Sequence, residues 1–370
     1  MLILDIVFYS FIAIVCIQVV FYGFLFGNFA FNKLEKGKGK LHSVSVIICA
    51  KNEAKNLKHY LPSILKQDYP DFEVVLINDA SSDDSLEIME AFAEQYNNIK
   101  IVNVRNIEAF WGNKKYALTL GIKAATNDYL LFTDADCEPV SNQWIKTMVS
   151  NFSNTNTIVL GYGPYNKVKY SLLNKLVRYE TLLTAIQYFS FAKIGIPYMG
   201  VGRNLAYNRS EFFKTNGFIK HINIHSGDDD LFINEAANSK NTSICFTPDS
   251  FTYSVPKKSF KDWFIQKRRH VSTANNYKFI HKSLLAIFYS TQLLFWLLAI
   301  LLLSLSFQWQ IVASLIIIRL VTQYFVIGFS AKKLNEVDIL FLLPFLELFL
   351  IVFQLTIFIS NLIAKPKRWK

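Results

Sequence analysis

Two long apolar blocks enclose a middle that reads as an ordinary soluble protein. Residues 1–31 are hydrophobic stretches broken by a single charge, Asp5, and residues 284–363 hold several more such stretches. Between them, residues 42–282 give about 240 residues, enough to bury a full core. The first block is long enough to span a bilayer. It has no basic n-region and no small-x-small cleavage site, so it reads as an uncleaved anchor rather than a signal peptide. Lys33, Lys36, Lys38 and Lys40 follow at once, and the positive-inside rule then puts the soluble domain in the cytoplasm, on a protein integral to the cell membrane. The expected organisation is an anchor over 1–31, a cytoplasmic domain over 42–282, a membrane region over 283–364 and a basic tail over 365–370.

The second block divides into apolar segments over 284–307, 311–329 and 337–364. If all three crossed the membrane, the tail 365–370 would lie outside, against the charge rule. A re-entrant or interfacial segment would resolve the conflict, and Arg319 in the second, or Pro344 with Glu347 in the third, marks either as the exception. Sequence leaves the parity open. The net charge of +11 comes partly from the two lysine-rich runs beside the apolar blocks, which suit anionic lipid headgroups better than nucleic acid. Four cysteines (Cys16, Cys49, Cys137 and Cys245) have no paired spacing, and so fit apolar packing in a reducing compartment.

Within the middle, strand and helix alternate. Strands are predicted over 43–48, 73–77, 99–104 and 128–133, with helices over 54–65, 83–95 and 113–125 between them. Ser81 or Ser82 is available to cap the second helix. This spacing predicts an α/β fold with a mostly parallel sheet and helices on both faces. In such sheets ligands bind beyond the carboxyl ends of the strands. Glu53 follows the first strand, Asp79 the second, and Asp134-Ala-Asp136 the fourth. Acids gathered at one rim repel each other unless a cation joins them, and a divalent ion carrying a phosphate group would do so. No Gly-x-Gly-x-x-Gly or Walker loop is present, which argues against a dinucleotide enzyme or a P-loop ATPase.

Six stretches in order, from about Val44 to His270, resemble the family 2 glycosyltransferases, inverting enzymes of the GT-A fold, including membrane-bound bacterial members related to the polysaccharide synthases. They are the 46–54 run ending in Asn52-Glu53, the Asn78-Asp79 stretch, Asn113-Lys114-Lys115, Asp134-Ala-Asp136, Asp228-Asp229-Asp230, and Gln266-Lys-Arg-Arg269-His270. The resemblance implies roles. Glu53 and Asp79 would hold base and ribose; Asp134 would meet ribose or metal. Asp136 would ligate Mg²⁺ or Mn²⁺, as hard oxygen ligands prefer. Lys114 or Lys115 would add positive charge near the diphosphate, and Gln266 and Arg269 would contact it. Asp228, with Asp229 as rival, would be the base that takes the acceptor proton. Gly202, Arg203 and Asn204 would lie under donor sugar and acceptor.

Each feature also has a plainer reading. The lysines would make a solvated helix face, the acids helix caps, and the 199–210 segment a tight turn. The family's tryptophan is His270 here, which puts a long stacked sugar chain at the entrance in doubt. The expected function is transfer of a hexose from a nucleotide-diphosphate sugar, UDP-linked by expectation, to a membrane-associated lipid or glycan acceptor in cell-envelope glycan synthesis. The alternatives are a processive synthase that moves its product through the membrane, and a non-catalytic protein that binds nucleotide sugar. No nucleic-acid partner is expected.

Overall fold

The computed structural model describes residues 2–33, 37, 39–105, 114–224 and 226–364. Lys36 and Lys38, the helix start expected at Asn113, and the tail 365–370 lie outside the described residues. The strands are Val44–Ala50 (β1), Phe72–Asp79 (β2), Ile99–Val104 (β3), Tyr129–Asp134 (β4), Cys137–Pro139 (β5), Ile158–Leu160 (β6), Leu205–Asn208 (β7), Thr242–Ile244 (β8) and Thr252–Ser254 (β9). Seven form one sheet in the order β3-β2-β1-β4-β7-β6-β8, while β5 and β9 pair apart from it. β1, β2, β3 and β4 are parallel. β7 runs antiparallel to both β4 and β6, so the sheet is mixed beyond its first four strands.

The helices are Leu2–Val20 (α1), Gly27–Ala30 (α2), Ala54–Leu65 (α3), Ser85–Gln95 (α4), Lys114–Ala124 (α5), Trp144–Val149 (α6), Leu172–Lys193 (α7), Arg209–Lys214 (α8), Asp230–Ala236 (α9), Phe260–Thr273 (α10), Phe279–Ser304 (α11), Trp309–Lys333 (α12) and Leu343–Ile363 (α13). A π-helical turn, Phe21–Phe26, joins α1 to α2, and a 3-10 turn, Val337–Leu342, leads into α13.

Successive side chains of a strand point to opposite faces, and both faces of this sheet are covered. Val46, Ile48, Val74 and Leu76 enter one core, with Leu57, Leu61 and Trp144. Ile47, Val75 and Ile77 enter the other, with Leu118 and Ile122 of α5. That is why β1 and β2 read as continuous apolar runs rather than alternating ones. Gly121 lets α5 lie close on the sheet, since a Cβ there would stand 2.1 Å from the Ile77 side chain. The serines expected to cap α4 do something else. Ser81 Oγ accepts from Asn52 N (3.0 Å) and Ser82 N donates to Asn52 Oδ1 (2.8 Å), joining the loops after β1 and β2. Asp83 takes the capping role, accepting from Ser85 N at 3.1 Å.

Among the described residues, four segments are long and apolar enough to cross a membrane: Leu2–Ala30, Phe279–Ser304, Trp309–Lys333 and Val337–Ile363. The two charges that stood out in sequence pair with each other. Arg319 of α12 and Glu347 of α13 form a buried salt bridge. Arg319 Nη1 also donates to Gln323 Oε1 (2.6 Å), and Nη2 to Gln18 Oε1 (3.1 Å). Glu347 further accepts from Gln292 (3.0 Å) and Trp296 (3.3 Å). Pro344 sits in the first turn of α13, where its missing N–H costs nothing.

Candidate active site

The loops leaving the carboxyl ends of β1, β2 and β4 converge on one rim. Two non-glycine residues there hold positive φ, Asn52 (56°) and Ala80 (49°), a strain that sites tolerate more often than scaffolds do. Asp79 is the last residue of β2, and its Oδ2 faces Lys51 Nζ at 3.7 Å. Asn78 Nδ2 donates to Asn103 Oδ1 at 2.9 Å and its Oδ1 accepts from Ser81 N, fixing the turn. Glu53 precedes α3 and accepts from Asn56 Nδ2 (2.5 Å). Burial raises the Glu53 pKa despite that bond, and the charges of Asp136 and Asp134 add to the rise. Three strand ends thus bring their acids into one electrostatic field.

Asp134 ends β4, and Asp136 lies just before β5. Ligand atoms of Asp134, Asp136 and Cys137 all lie within 4.8 Å of one another. Burial pushes the Asp136 pKa up, Asp134 pushes it further, and Arg203 opposes both. A carboxylate so placed is relieved by a cation. Two carboxylates offer the hard oxygens that Mg²⁺ or Mn²⁺ take, so these residues fit such an ion.

The two lysines at the start of α5 part company. Lys114 Nζ lies 3.2 Å from Asp134 and 3.0 Å from Asp228, linking the strand rim to the acidic trio. Lys115 turns away and is buried. Its ammonium donates to the carbonyls of His221 (2.7 Å), Ile224 (2.9 Å) and Ser226 (2.8 Å), clamping the loop that delivers the trio. Burial lowers the Lys115 pKa to about 8. Neither lysine is a solvated helix face.

The trio also divides. Gly227, at φ 90°, turns the chain into α9. Burial disfavours charge on Asp228, but the Lys114 ammonium outweighs it and holds the pKa below the usual carboxylate value. Asp229 accepts from Gly202 N (2.6 Å) and caps α9. Burial, then Asp228 and Asp230, push its pKa to about 7. Asp230 accepts from Thr273 Oγ1 (2.5 Å) and Tyr277 OH (2.6 Å), fastening α9 to the end of α10. Asp134, Lys114, Gly202, Asp228 and Asp229 line one cavity with Cys49 and Tyr207.

Of the 202–204 turn, Gly202 and Arg203 reach the site and Asn204 does not. Asn204 is fully buried, accepts from Trp144 Nε1 (3.0 Å) and donates to Tyr162 O (2.8 Å) and Ser250 O (2.6 Å). Expected under the ligand, it is instead a bracket between strands, because its amide has no atom left over. Arg203 lies over the Tyr165 ring (4.2 Å) and donates to Ser254 Oγ (2.5 Å). Gln266, Arg269 and His270 share α10. His270 is solvent-exposed on that helix.

Sequence reasoning missed Lys51, Cys137, Tyr165 and Ser254. Lys51 and Cys137 sit next to the motifs; Tyr165 and Ser254 have no local signal, because only folding brings them to Arg203.

A mostly parallel α/β sheet with an acidic strand-end rim defines the class, and the comparisons name the domain. Residues 45–214 match the Glycosyl transferase family 2 model, and they form a family 2 glycosyltransferase domain. Glycosyltransferase AglE of Haloferax volcanii is 34% identical over 120 residues, 32% of this chain and 38% of that protein. The 4,4'-diaponeurosporenoate glycosyltransferase of Staphylococcus haemolyticus is 26% identical over 191 residues, 51% of this chain and 50% of that protein. Matches to these curated relatives thus span half of their length or less. A mannosyltransferase from Pyrobaculum calidifontis, solved in complex with GDP-Man and Mn²⁺, has the same fold: TM-score 0.56 over 87% of this chain and 99% of that one, at 19% identity. The fold is GT-A-like, as the resemblance implied.

Proposed function

We propose that this protein is an inverting glycosyltransferase that moves a hexose from a nucleotide-diphosphate sugar to a lipid or glycan acceptor at the membrane. The observation that carries this reading is the Lys114 bridge: one ammonium joins the Asp134 end of the rim to the Asp228-Asp229 turn, across the cavity both line. The mannosyltransferase complex supports a nucleotide sugar with a divalent ion, and the diaponeurosporenoate relative supports a lipid-like acceptor.

Glu53 and Asp79 hold the nucleoside by accepting its hydrogen bonds. Asp136, with Asp134, holds Mg²⁺ or Mn²⁺, which when bound supplies charge to offset the departing diphosphate. Lys114 reaches the same diphosphate while keeping its contact with Asp228. Arg203, Gln266 and Arg269 close the far side with further donors. Inversion is one displacement at the anomeric carbon, so a single carboxylate takes the acceptor hydroxyl proton as that oxygen attacks. Asp229 is the base: its pKa near 7 suits proton transfer at neutral pH, whereas Asp228 is held as the anion partner of Lys114. Asp228 positions Lys114 rather than reacting.

The experiment is a screen of nucleotide sugars against the purified chain in lipid, reading nucleotide release with and without Mn²⁺. Release that needs both the metal and an added lipid or glycan acceptor is expected. Nucleotide-sugar binding with no release under any condition would replace the enzyme with a sensor.

A further inference from the structure

The four apolar segments do not pack alike. Side chains of α1, α11 and α12 share a core of their own: Phe8, Phe11 and Val15 meet Phe295, Leu302 and Val312. No residue of α13 belongs to it. The buried side chains of α13, Leu343, Leu346, Leu350, Phe353 and Ile357, enter the core that holds Tyr179 of α7 and Trp263 of α10.

Both ends of the α13 segment are fastened on the sheet's side. At its start, Arg178 of α7 donates to Glu336 (2.8 Å) and to both oxygens of Asp338 (2.8 and 2.6 Å). At its end, Arg268 of α10 donates to Asn361 Oδ1 (2.9 Å) and Ser360 O (3.0 Å), and also to Ala364 O. Between them α10 and α13 run side by side: Phe260 meets Phe349, Trp263 stacks on Phe353 at 4.0 Å, and Arg268 meets Asn361. A helix of 21 residues is about 32 Å long. Had it crossed a hydrocarbon core of about 30 Å, its two ends would face opposite solvents. Here both ends touch helices that belong to the sheet.

α13 also touches the bundle, through one residue near its start. Glu347 meets Arg319 and Gln292, near the middle of α12 and α11, and Tyr22. Tyr22 is within two turns of Phe29, which packs on Phe189 and Phe246 of the sheet domain. Glu347 thus ties the first turns of α13 to the bundle, while the rest of the helix stays outside the bundle core.

We propose that α1, α11 and α12 cross the membrane and that α13 does not: it lies along the leaflet on the sheet's side, with α10 beside it. The occupant of its outward face is lipid. Val352, Phe358, Ile359, Leu362 and Ile363 are exposed there, which water would not tolerate as one stripe. Lys257, Lys258 and Lys261, exposed around the start of α10, supply charge for anionic headgroups. Three crossings also remove the charge conflict. The uncharged link Leu305-Ser-Phe-Gln308 falls on the far side, while the end of α13, before the basic sequence begins, stays on the side of the sheet.

Single cysteines in the full chain test this, with Cys16→Ser removing the exposed native thiol. K58C marks the sheet domain, S306C the α11–α12 link and K370C the basic run. A membrane-impermeant maleimide is applied to sealed vesicles of each orientation. K370C should label together with K58C, and S306C only in the opposite orientation. Labelling of K370C together with S306C would overturn the proposal. Depth gives an independent readout: a nitroxide at V352C should sit at the headgroup boundary, while one at L294C, near the middle of α11, sits deep. Equal depth would show that α13 crosses after all. Neither readout depends on turnover, so failure of the glycosyltransferase reading would leave this result standing.

Discussion

The rim of the sheet and the polar cluster between the membrane helices use the same side chains to opposite ends. Both bury carboxylates beside one cation. In the cluster, Arg319 and Glu347 pair, and Gln18, Gln292, Gln323, Tyr22 and Trp296 supply the remaining hydrogen bonds. At the rim, Lys114 faces Asp134 and Asp228 together, while Asp136 and Glu53 keep raised pKa values although Lys257, and at Asp136 also Arg203, pull them down. A buried charge whose counter-charge is present holds structure, even where one donor, Arg319 Nε, is left without a partner. One short of a counter-charge is arranged for a ligand.

The largest effect should come from Asp229→Asn. Turnover should fall about 10²–10⁴-fold, the usual worth of a positioned base, while donor binding persists. Unchanged turnover would move the base to Asp228. Next, Arg319→Met leaves Glu347 buried and unpaired, and should cost about 3–5 kcal/mol of stability. Thermal unfolding in nanodiscs reads this, and Arg319→Met with Glu347→Leu should restore most of it. Failure of that rescue would mean that the pair does more than hold the helices together.

Lys114→Ala should weaken nucleotide-sugar binding by about 1.5–3 kcal/mol, the range for a charged hydrogen bond, in titration calorimetry. Binding without loss would break the contrast between rim and cluster, because Lys114 would then be as structural as Arg319.

The smallest effect is a pH dependence. With its folded pKa near 7, above the ordinary carboxylate value, Asp229 binds its proton more tightly in the folded chain. Its contribution to stability therefore falls as pH rises from about 4 to 7. The Asp229→Asn protein should lose less stability than wild type across that window, and wild-type activity should decline as pH drops below about 7. Parallel stability curves for the two proteins would remove the case for a raised Asp229.

Much of the first half was legible from residues alone. β3 falls where the apolar run predicted it, and α3 spans the predicted residues. β1, β2, β4, α4 and α5 lie within two residues of expectation. These elements come from local periodicity and from loops whose polar residues interrupt it, so the acids at strand ends could be placed before any contact was known. The sheet's second half escaped, because β6, β7 and β8 are three or four residues each and carry no pattern of their own.

Chain order and side-chain chemistry by themselves therefore determined the α/β core, the apolar blocks and the set of acids that belong to the rim. Only the tertiary structure gave each acid its own neighbours. Asp228, Asp229 and Asp230 are consecutive and chemically identical, and sequence offers no means of ranking them. Lys114, Gly202 and the Thr273–Tyr277 pair, remote from the trio in sequence, give the three different neighbours. The same holds for Lys114 against Lys115, and for Arg178 and Arg268, which hold α13 at both ends. Local propensity acts over one or two turns of chain. Burial and charge act through space, and they assign roles only once distant segments have met.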